Sequence, residues 1–253
     1  MSAQLVLCMK WGARYPAIYV NRLLAMVTRN MEQPVQLVCF TDDPTGIDAG
    51  VDIRPLPPFP DQPASHIWTP WRKLSLWSGA LDADLMGRDA LFFDLDVVVT
   101  GPLDRFFDHE PGRYVVIENW TKAGEGIGNT SVFRFPVGAM SYIYDRYAED
   151  PAGVIRDYNI EQEFISQYLS ETGRGGLQAY WPADWVVSFK ESLLPAWPQR
   201  IWTPAPLPES ASVVVFHGKP DPEEAAEGRW PAPIWKKHYK TIAPARWISE
   251  HWR

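Results

Sequence analysis

The sequence predicts an α/β fold, with an open sheet in the first half and an irregular second half. Apolar, β-branched segments alternate with amphipathic helical segments over about the first 100 residues, a pattern typical of an open α/β sheet. The 13 tryptophans and 24 prolines of the 253-residue chain concentrate in the second half, where they either line rigid binding loops or pack an irregular region. No repeat or low-complexity linker divides the chain, so we expect a single domain over residues 1–253.

Strands are predicted, in chain order, at residues 4–9, 35–40, 51–56, 90–99, 113–118, 130–135 and 212–217. Helices are predicted where apolar residues share one face, at 19–30, 71–81 and 140–147, and another helix is expected to begin near Asn159. Ligands bind outside the carboxyl ends of the strands in such sheets. Polar residues that follow a strand are therefore the first candidates for function.

Charge and hydropathy exclude several classes of protein. The formal net charge is −7, and acidic and basic residues are interspersed, so no basic footprint for nucleic acid is present. No signal peptide or membrane span is apparent, and a cytoplasmic location is expected. Cys8 and Cys39 lie in two apolar strands, which predicts buried free thiols, with a disulfide as the alternative if the strands are neighbours.

Two aspartates interrupt the most apolar strand of the chain. Asp94 and Asp96 have a spacing of two, so both carboxylates are expected on one face of the strand at 90–99. Like charges in an apolar strand need a metal ion, a basic partner or an open strand end. A divalent cation that bridges to a diphosphate is the preferred explanation, and a solvent-facing edge strand is the alternative.

The segment "ALFFDLDVVVTGPLDRFF" resembles the DxD segment of GT-A fold glycosyltransferases, especially family-8-like and capsular-polysaccharide types. The resemblance implies a Rossmann-like single domain with a mixed central sheet. It further implies that Asp94 and Asp96 hold Mn²⁺ (or Mg²⁺), which binds the diphosphate of a nucleotide sugar, and that Asp94 helps to bind this donor.

Two other motifs extend the resemblance. "VVVFHGKPDP" is similar to a strand-ending histidine and the turn after it, which implies His217 as the third metal ligand and Lys219 as a diphosphate contact. An imidazole beside two carboxylates also suits manganese better than calcium. "WTPWRKLSLW" resembles a helix that lends a basic side chain, Lys73, to the donor, although a solvated lysine is the alternative.

Further candidates follow from position in the resemblance. The ends of the first two strands would hold the base and ribose through Lys10, Trp11, Thr41 and Asp42. "EGIGNTSVFRF" and "WPADWVVSFK" resemble segments that contact the donor sugar or the acceptor, which implies roles for Asn129, Ser131, Asp184, Trp185 and Lys190.

The helix near Asn159 carries a second acidic feature. Helical angles place Glu161 within the apolar face and turn Glu163 to solvent, and an inward glutamate is costly unless it faces a cleft. The segment resembles a helix start whose acidic and amide residues, here Glu161 and Gln162, hold the sugar beneath its reacting carbon. A capping box from Asn159 to Gln162 is the alternative explanation for Gln162.

The last 25 residues, 229–253, combine six Lys and Arg residues with five Trp and Tyr residues and one glutamate. This composition suits an anionic membrane surface, where lipid-linked acceptors lie, and a packed helix or a lid is the alternative.

Within the single domain, residues 1–118 are expected to bind the nucleotide, and residues 119–228 are expected to bind the sugar and the acceptor.

The hypothesis is a metal-dependent, retaining hexosyltransferase that moves sugar from a UDP-sugar to a saccharide or lipid-linked acceptor in surface polysaccharide synthesis. An inverting enzyme would need a base, for which Asp184 is the candidate. Two alternatives stay open. A phosphatase of the haloacid dehalogenase type also uses a strand-borne DxD, although about 90 residues precede it here, and the tryptophan-rich half suits a non-catalytic carbohydrate-binding protein.

Overall fold

The computed structural model describes residues 3–60 and 70–253. Its main strands are β1 (Gln4–Lys10), β2 (Val35–Thr41), β3 (Asp52–Pro55), β4 (Asp89–Phe93), β5 (Val97–Val99), β6 (Tyr114–Glu118), β7 (Gly128–Pro136), β8 (Gln178–Tyr180), β9 (Val186–Ser188) and β10 (Val213–Val215). The α-helices are α1 (Ala17–Arg29), α2 (Arg105–Asp108), α3 (Tyr142–Glu149), α4 (Pro151–Asp157), α5 (Glu161–Glu171), α6 (Pro222–Ala226) and α7 (Trp247–His251).

A mixed sheet of seven strands forms the centre of the described chain, in the order β3-β2-β1-β4-β7-β6-β8. Strands β1 to β4 are parallel, β7 is antiparallel to β4 and β6, and β8 is parallel to β6. Strand β7 therefore runs against all the others. The carboxyl ends of β1, β4 and β6 and the start of β7 consequently meet at one edge, which is where a ligand is expected. The predicted α/β fold with a mixed sheet is confirmed.

Both faces of the sheet are buried at its central strands β1 and β4, because side chains alternate along strands that are largely apolar. On β1, Val6 and Cys8 belong to a cluster that includes α1 and the second sheet, whereas Leu5, Leu7 and Met9 belong to a cluster that includes α3 and α5. The two cysteines are buried, free and in register on β1 and β2.

A second sheet of three short strands, in the order β5-β10-β9, joins distant parts of the chain. Strand β10 is antiparallel to β5 and parallel to β9. Val215 pairs with Val97 in this register, and the Phe216 amide donates to the Asp96 carbonyl at 2.9 Å. The segment after Asp96 and the segment before His217 are thereby fixed side by side.

Three predicted elements differ from the structure. The strand predicted at 90–99 is divided: β4 ends at Phe93, and β5 begins at Val97 in the other sheet. The helix predicted at 71–81 is a 3-10 helix over Pro70–Trp77, with both tryptophan rings buried. The strand predicted at 212–217 is limited to Val213–Val215, because His217 lies beyond the last pair with β5.

Part of the C-terminal segment 229–253 packs on the rest of the protein, and part of it is exposed. The Trp252 ring packs on Tyr19 of α1, with ring centroids 5.1 Å apart, and the Arg22 guanidinium lies 3.9 Å from the Trp252 ring centroid. Residues 234–238 are exposed instead. Of the helices described here, none has the length and apolar character needed to cross a membrane.

Candidate functional site

A cleft of about 690 Å³ opens at the carboxyl edge of the main sheet. Segments that follow β1, β4, β6 and β10 form its walls together with the start of β7 and of α5. Nine of the residues predicted from the sequence line it: Trp11, Lys73, Asp94, Asp96, Asn129, Ser131, Glu161, Gln162 and His217. The topology thus gathers side chains that are up to about 200 residues apart in the sequence.

Lys73 lies between two carboxylates at the base of the cleft. Its ammonium nitrogen is 3.2 Å from Asp94 Oδ2 and 3.2 Å from Glu161 Oε1, and it also donates to the Thr130 hydroxyl and carbonyl oxygens. Burial alone would lower the pKa of Lys73, but the charges of Asp94 and Glu161 outweigh it, and this pKa is raised. The alternative of a solvated lysine is therefore wrong, because the side chain is 5% exposed.

Glu161 is fully buried, as its place on the apolar face predicted. Thr130 donates its hydroxyl to Glu161 Oε1, whereas Oε2 has no hydrogen-bond partner among the described residues. A buried carboxylate oxygen without a donor is costly unless a ligand supplies one. Since Glu161 lines the cleft, Oε2 is an acceptor available to a bound hydroxyl group.

Asp96 lies in the short segment between β4 and β5, and it forms its hydrogen bond with a residue other than Lys73. Tyr15 donates its hydroxyl to Asp96 Oδ2 at 2.8 Å, and the side chain is nearly buried. Burial raises the pKa of Asp96 to about 7, and the nearby charge of Asp94 adds to the effect. The two aspartates therefore have different partners, a cation for Asp94 and a phenol for Asp96.

His217 lies in the part of the cleft wall that follows β10. Its Nε2 lies 2.7 Å from the Ser188 hydroxyl oxygen, and its ring stacks on Trp120 with centroids 5.4 Å apart. Burial lowers the pKa of His217 to about 4, with a further contribution from the Lys190 ammonium. The imidazole is therefore neutral at pH 7 and keeps a lone pair that a metal ion or a proton donor can use.

Two lysines near the cleft have opposite surroundings. Lys219 donates to Asp221 Oδ2 at 2.6 Å and to Glu224 Oε1 at 2.8 Å, and it does not line the cleft. Lys190 has no ion pair within the described residues, and its ammonium lies 3.4 Å from where a Cβ atom on Gly218 would be. Gly218 has φ +77° and lines the cleft, so the Lys190 ammonium lies beside a lining residue, although Lys190 itself, like Lys219, does not line the cleft.

The residues predicted to bind the donor at the ends of β1 and β2 mainly form hydrogen bonds within and between the segments that follow these strands. Lys10 donates to the Asp43 carbonyl at 3.0 Å, and the Thr41 hydroxyl donates to the same oxygen at 3.0 Å. Asp42 accepts a hydrogen bond from the Gly12 amide at 3.1 Å. Only Trp11 of the four predicted residues lines the cleft, and the others fix the loops beside it.

Asp184 and Trp185 lie outside the cleft. The Trp185 ring packs on Phe106 of α2 with centroids 5.3 Å apart, and the Arg105 guanidinium is 4.1 Å from its centroid. Burial lowers the pKa of the Arg105 guanidinium, and the nearby charge of Asp184 partly opposes that effect. Neither Asp184 nor Trp185 lines the cleft, so the geometry of the cleft does not support the predicted contact of this pair with the acceptor.

The first turn of α5 differs from its prediction in two ways. Glu163 is buried and forms an ion pair with Lys122, although helical angles directed it to solvent, because the loop after β6 covers that side of the helix. Asn159 donates its side-chain amide to Glu163 Oε2 at 2.8 Å, and the N-cap residue is Ile160. The alternative of a capping box from Asn159 to Gln162 is therefore wrong.

Several cleft residues were not predicted: Met9, Gly12, Arg14, Tyr15, Pro70, Leu95, Asn119, Trp120, Thr121, Ile160 and Gly218. Asn119 and Trp120 directly follow β6, so the rule that ligands meet the carboxyl ends of strands was enough to find them. Arg14 and Tyr15 are in a loop, and each contacts a residue that is distant in the sequence. Arg14 donates to Asp221 at 2.9 Å, and Tyr15 donates to Asp96 at 2.8 Å. No local sequence signal shows those contacts.

A divalent cation is the group that the DxD resemblance implies for this cleft. Two carboxylates and a neutral imidazole are suitable donors chemically. In this structure Asp94 binds Lys73, Asp96 binds Tyr15, and no group of three His, Cys, Asp or Glu side chains in ranges 3–60 and 70–253 is arranged to hold a metal ion. The donor types fit, but their positions do not form a ready metal site.

No protein-family model matches the sequence, and no curated protein does. Solved structures do match the fold. The galactosyltransferase LgtC, in complex with donor and acceptor sugar analogs, has a TM-score of 0.52 and 16% identity, over 86% of this chain and 88% of that one. Mouse xyloside xylosyltransferase 1 has a TM-score of 0.54 and 9% identity, over 85% and 98%.

A third neighbour is the glycosyltransferase GlyE of Streptococcus pneumoniae TIGR4, with a TM-score of 0.53 and 12% identity, over 87% of this chain and 56% of GlyE. Identities this low establish the architecture and leave the activity to be argued from the cleft. The chain has the GT-A-like fold of these glycosyltransferases.

Proposed function

We propose that this protein is a glycosyltransferase that moves a hexosyl group from a nucleotide-diphosphate sugar, a UDP-sugar by preference, to a saccharide or lipid-linked acceptor of a surface polysaccharide. The observation that carries the proposal is the convergence of Asp94, Asp96, Glu161 and His217 in one cleft at the carboxyl edge of the sheet. LgtC, which shares the fold, binds donor and acceptor sugar analogs.

Glu161 and Gln162 are proposed to position the transferred sugar. Lys73 and Thr130 hold Glu161 Oε1, so Oε2 has a fixed direction and accepts a sugar hydroxyl. The negative charge of Glu161 also favours positive charge that develops at the anomeric carbon. Retention of configuration is part of the proposal, and it agrees with Asp184, the candidate base for inversion, lying outside the cleft.

The aromatic walls suit a nucleobase and a sugar ring. Trp11 follows β1, and Trp120 follows β6 and stacks on His217. Indole faces bind flat rings without selecting one base strongly. We propose that Trp11 contacts the base, and that Asn129 and Ser131, at the start of β7, contact the donor sugar.

The diphosphate leaving group needs positive charge, since its own charge grows during transfer. Arg14 lines the cleft, and Lys190 lies beside Gly218 without an ion pair among the described residues. Lys219, the residue implied by the sequence resemblance, is already neutralised by Asp221 and Glu224. We therefore propose Lys190 as the principal lysine for the diphosphate.

A divalent cation, Mn²⁺ or Mg²⁺, remains part of the proposal, with Asp94, Asp96 and His217 as its protein ligands. When bound, it would help to neutralise the diphosphate. The ligands are not arranged for it here, so we expect the ion and the diphosphate, which brings its own oxygen atoms, to bind together.

The test of the function is thermal stability in the presence of UDP-, GDP-, CMP- and dTDP-sugars, each with and without Mn²⁺. We expect a UDP-sugar with Mn²⁺ to raise the melting temperature by several degrees, and either component alone to raise it less, because a ligand that binds the folded state stabilises it. The proposal fails if no nucleotide sugar stabilises the protein in a metal-dependent way. Saccharide binding that EDTA and UDP leave unchanged would indicate a carbohydrate-binding protein, and trapping of Asp94 by beryllium fluoride would indicate a phosphatase.

The lysine assignment is tested by comparing Lys190→Gln with Lys219→Gln. We expect Lys190→Gln to weaken UDP binding by about tenfold, the cost of one charge-assisted contact. Isothermal titration calorimetry with UDP and Mn²⁺ gives both affinities.

Lys219→Gln is the matched control, since the same charge is removed from a residue that Asp221 and Glu224 already neutralise. We expect its affinity for UDP to change by less than about threefold. If Lys219→Gln instead weakens UDP binding more than Lys190→Gln does, Lys219 is the lysine that contacts the diphosphate.

A further inference from the structure

Two segments that are distant in the sequence form one basic, aromatic surface. Trp197 donates its indole N–H to the His238 carbonyl at 3.0 Å, and the Ala243 amide donates to the Arg200 carbonyl at 2.7 Å. Arg200 and Lys240 both approach the ring of Trp230, at 5.6 Å and 5.1 Å from its centroid. Residues 196–202 therefore pack directly on residues 229–243.

The exposed side chains of this surface are unusual for a protein in water. Trp202 is 66% exposed, Trp235 70% and Ile234 80%, and Trp197 and Ile201 are also exposed. The surface is defined here by these five apolar residues and four cations, which are Arg200, Lys236, Lys237 and Lys240. A cluster of large apolar side chains at the surface marks an interaction site.

The charge of this basic aromatic surface opposes that of the whole chain. Residues 196–208 and 229–249 contain no Asp or Glu, although the chain has a net charge of −7. None of the four cations forms a salt bridge with a described residue. Their charge is thus available to an anionic partner.

We propose that the basic aromatic surface binds an anionic lipid bilayer, with its indole rings among the headgroups and its cations on the lipid phosphates. Tryptophan favours this interface because its ring is apolar and its N–H is polar. Each lysine or arginine near an anionic membrane adds attraction that salt screens. The combination of exposed tryptophans and unpaired cations is what such a surface requires.

Two other occupants explain the surface less well. A second copy of the chain, related by twofold symmetry, would bring the unpaired cations of both copies together, and like charges would oppose the contact. A saccharide would account for the tryptophans but not for the clustered cations, because neutral sugars gain nothing from them.

The position of this surface relates it to the cleft. Lys240 is close enough to Lys190 for its charge to lower the pKa of Lys190, in addition to the larger effect of burial. Lys190 in turn lies beside Gly218, which lines the cleft. Membrane binding would accordingly hold the cleft beside the bilayer, where a lipid-linked acceptor is found. The proposal extends the proposed function but does not depend on it, because it is tested without donor, acceptor or metal.

The test is co-sedimentation with vesicles of phosphatidylcholine alone and of phosphatidylcholine with phosphatidylglycerol. We expect binding only to the anionic vesicles, and weaker binding as salt is added. Lys236→Gln with Lys237→Gln should lower the affinity by about tenfold or more, and Trp202→Ala with Trp235→Ala by a similar factor. All four side chains are exposed, so the melting temperature should stay unchanged.

Matched controls remove similar groups elsewhere. Arg156→Gln changes an exposed cation on α4, and Leu177→Ala changes an exposed apolar residue, and neither should alter vesicle binding. The proposal is overturned if anionic vesicles are not bound, if neutral vesicles are bound equally, or if the surface variants bind as well as the wild type. A shift from dimer to monomer in the variants, measured by sedimentation velocity without lipid, would assign the surface to self-association instead.

Discussion

Replacing Lys73 with methionine is expected to lower the free energy of unfolding by about 3–5 kcal/mol at pH 7, the cost of leaving buried charge without a partner. Lys73 separates Asp94 from Glu161, and its own side chain is nearly inaccessible. Methionine keeps the volume but leaves the buried Glu161 carboxylate facing the partly exposed Asp94 carboxylate without a cation between them. Urea denaturation of both proteins measures the difference.

The loss of stability in Lys73→Met should depend on pH and on the presence of the Asp94 and Glu161 carboxylates. Burial already raises the pKa of Asp94, and without Lys73 that pKa should rise further, so protonation at lower pH should relieve part of the loss. Adding Asp94→Asn and Glu161→Gln to the Lys73→Met variant should restore most of the stability, since no unpaired charge then remains.

Lys122→Met provides the control, because Lys122 also pairs with a glutamate of α5 but at a more exposed position. Its cost should be at most about 1 kcal/mol. If Lys73→Met costs no more than Lys122→Met, or if the triple variant is as unstable as the single one, Lys73 does not stabilise the two carboxylates as described.

The sheet itself could be predicted from the sequence. Each central strand is a short apolar segment followed by a polar residue, and a parallel arrangement brings those polar residues to one edge. Asp94, Asp96 and His217 line one cleft, although His217 follows the two aspartates by more than a hundred residues. Their proximity was predicted from a motif, and the pairing of β5 with β10 supplies its physical cause.

The partners of the charged residues could not be predicted in the same way. The two aspartates favour a bend in the strand near residues 94–96, but nothing in the sequence indicates that residues 97–99 pair with a different sheet. Lys219 has two acidic partners on the next turn of chain, whereas Lys190 has none among the described residues. Side-chain pairing of this kind is a property of tertiary contacts, so motif position alone did not indicate the acidic partners of Lys219.

Asp96→Asn is expected to stabilise the ligand-free protein and to slow sugar transfer strongly. Asp96 is nearly buried, and burial and Asp94 raise its pKa to about 7 in the folded state. A carboxyl group with a raised folded-state pKa stabilises the fold below its unfolded pKa, and that contribution is lost as pH rises through the folded pKa. An asparagine does not titrate and can still accept the Tyr15 hydroxyl hydrogen, so it avoids this loss.

The gain in stability of Asp96→Asn should thus grow from the ordinary aspartate pKa up to about pH 7 and then remain constant. We expect it to reach about 1–4 kcal/mol, measured by urea denaturation across that range. Transfer should fall by at least about 100-fold, the usual cost of removing a well-placed electrostatic group from an active site.

Thr41→Val is a control for Asp96→Asn, because Thr41 is also polar and buried at a strand end but lies outside the cleft. It should lower stability, by leaving the Asp43 amide without its acceptor, and should not reduce transfer 100-fold. A protein that becomes more stable when it loses activity indicates a residue kept for function at the expense of the fold. If Asp96→Asn is less stable than the wild type at pH 8, or keeps full activity, Asp96 is a structural residue and the proposed metal and diphosphate site must be sought elsewhere in the cleft.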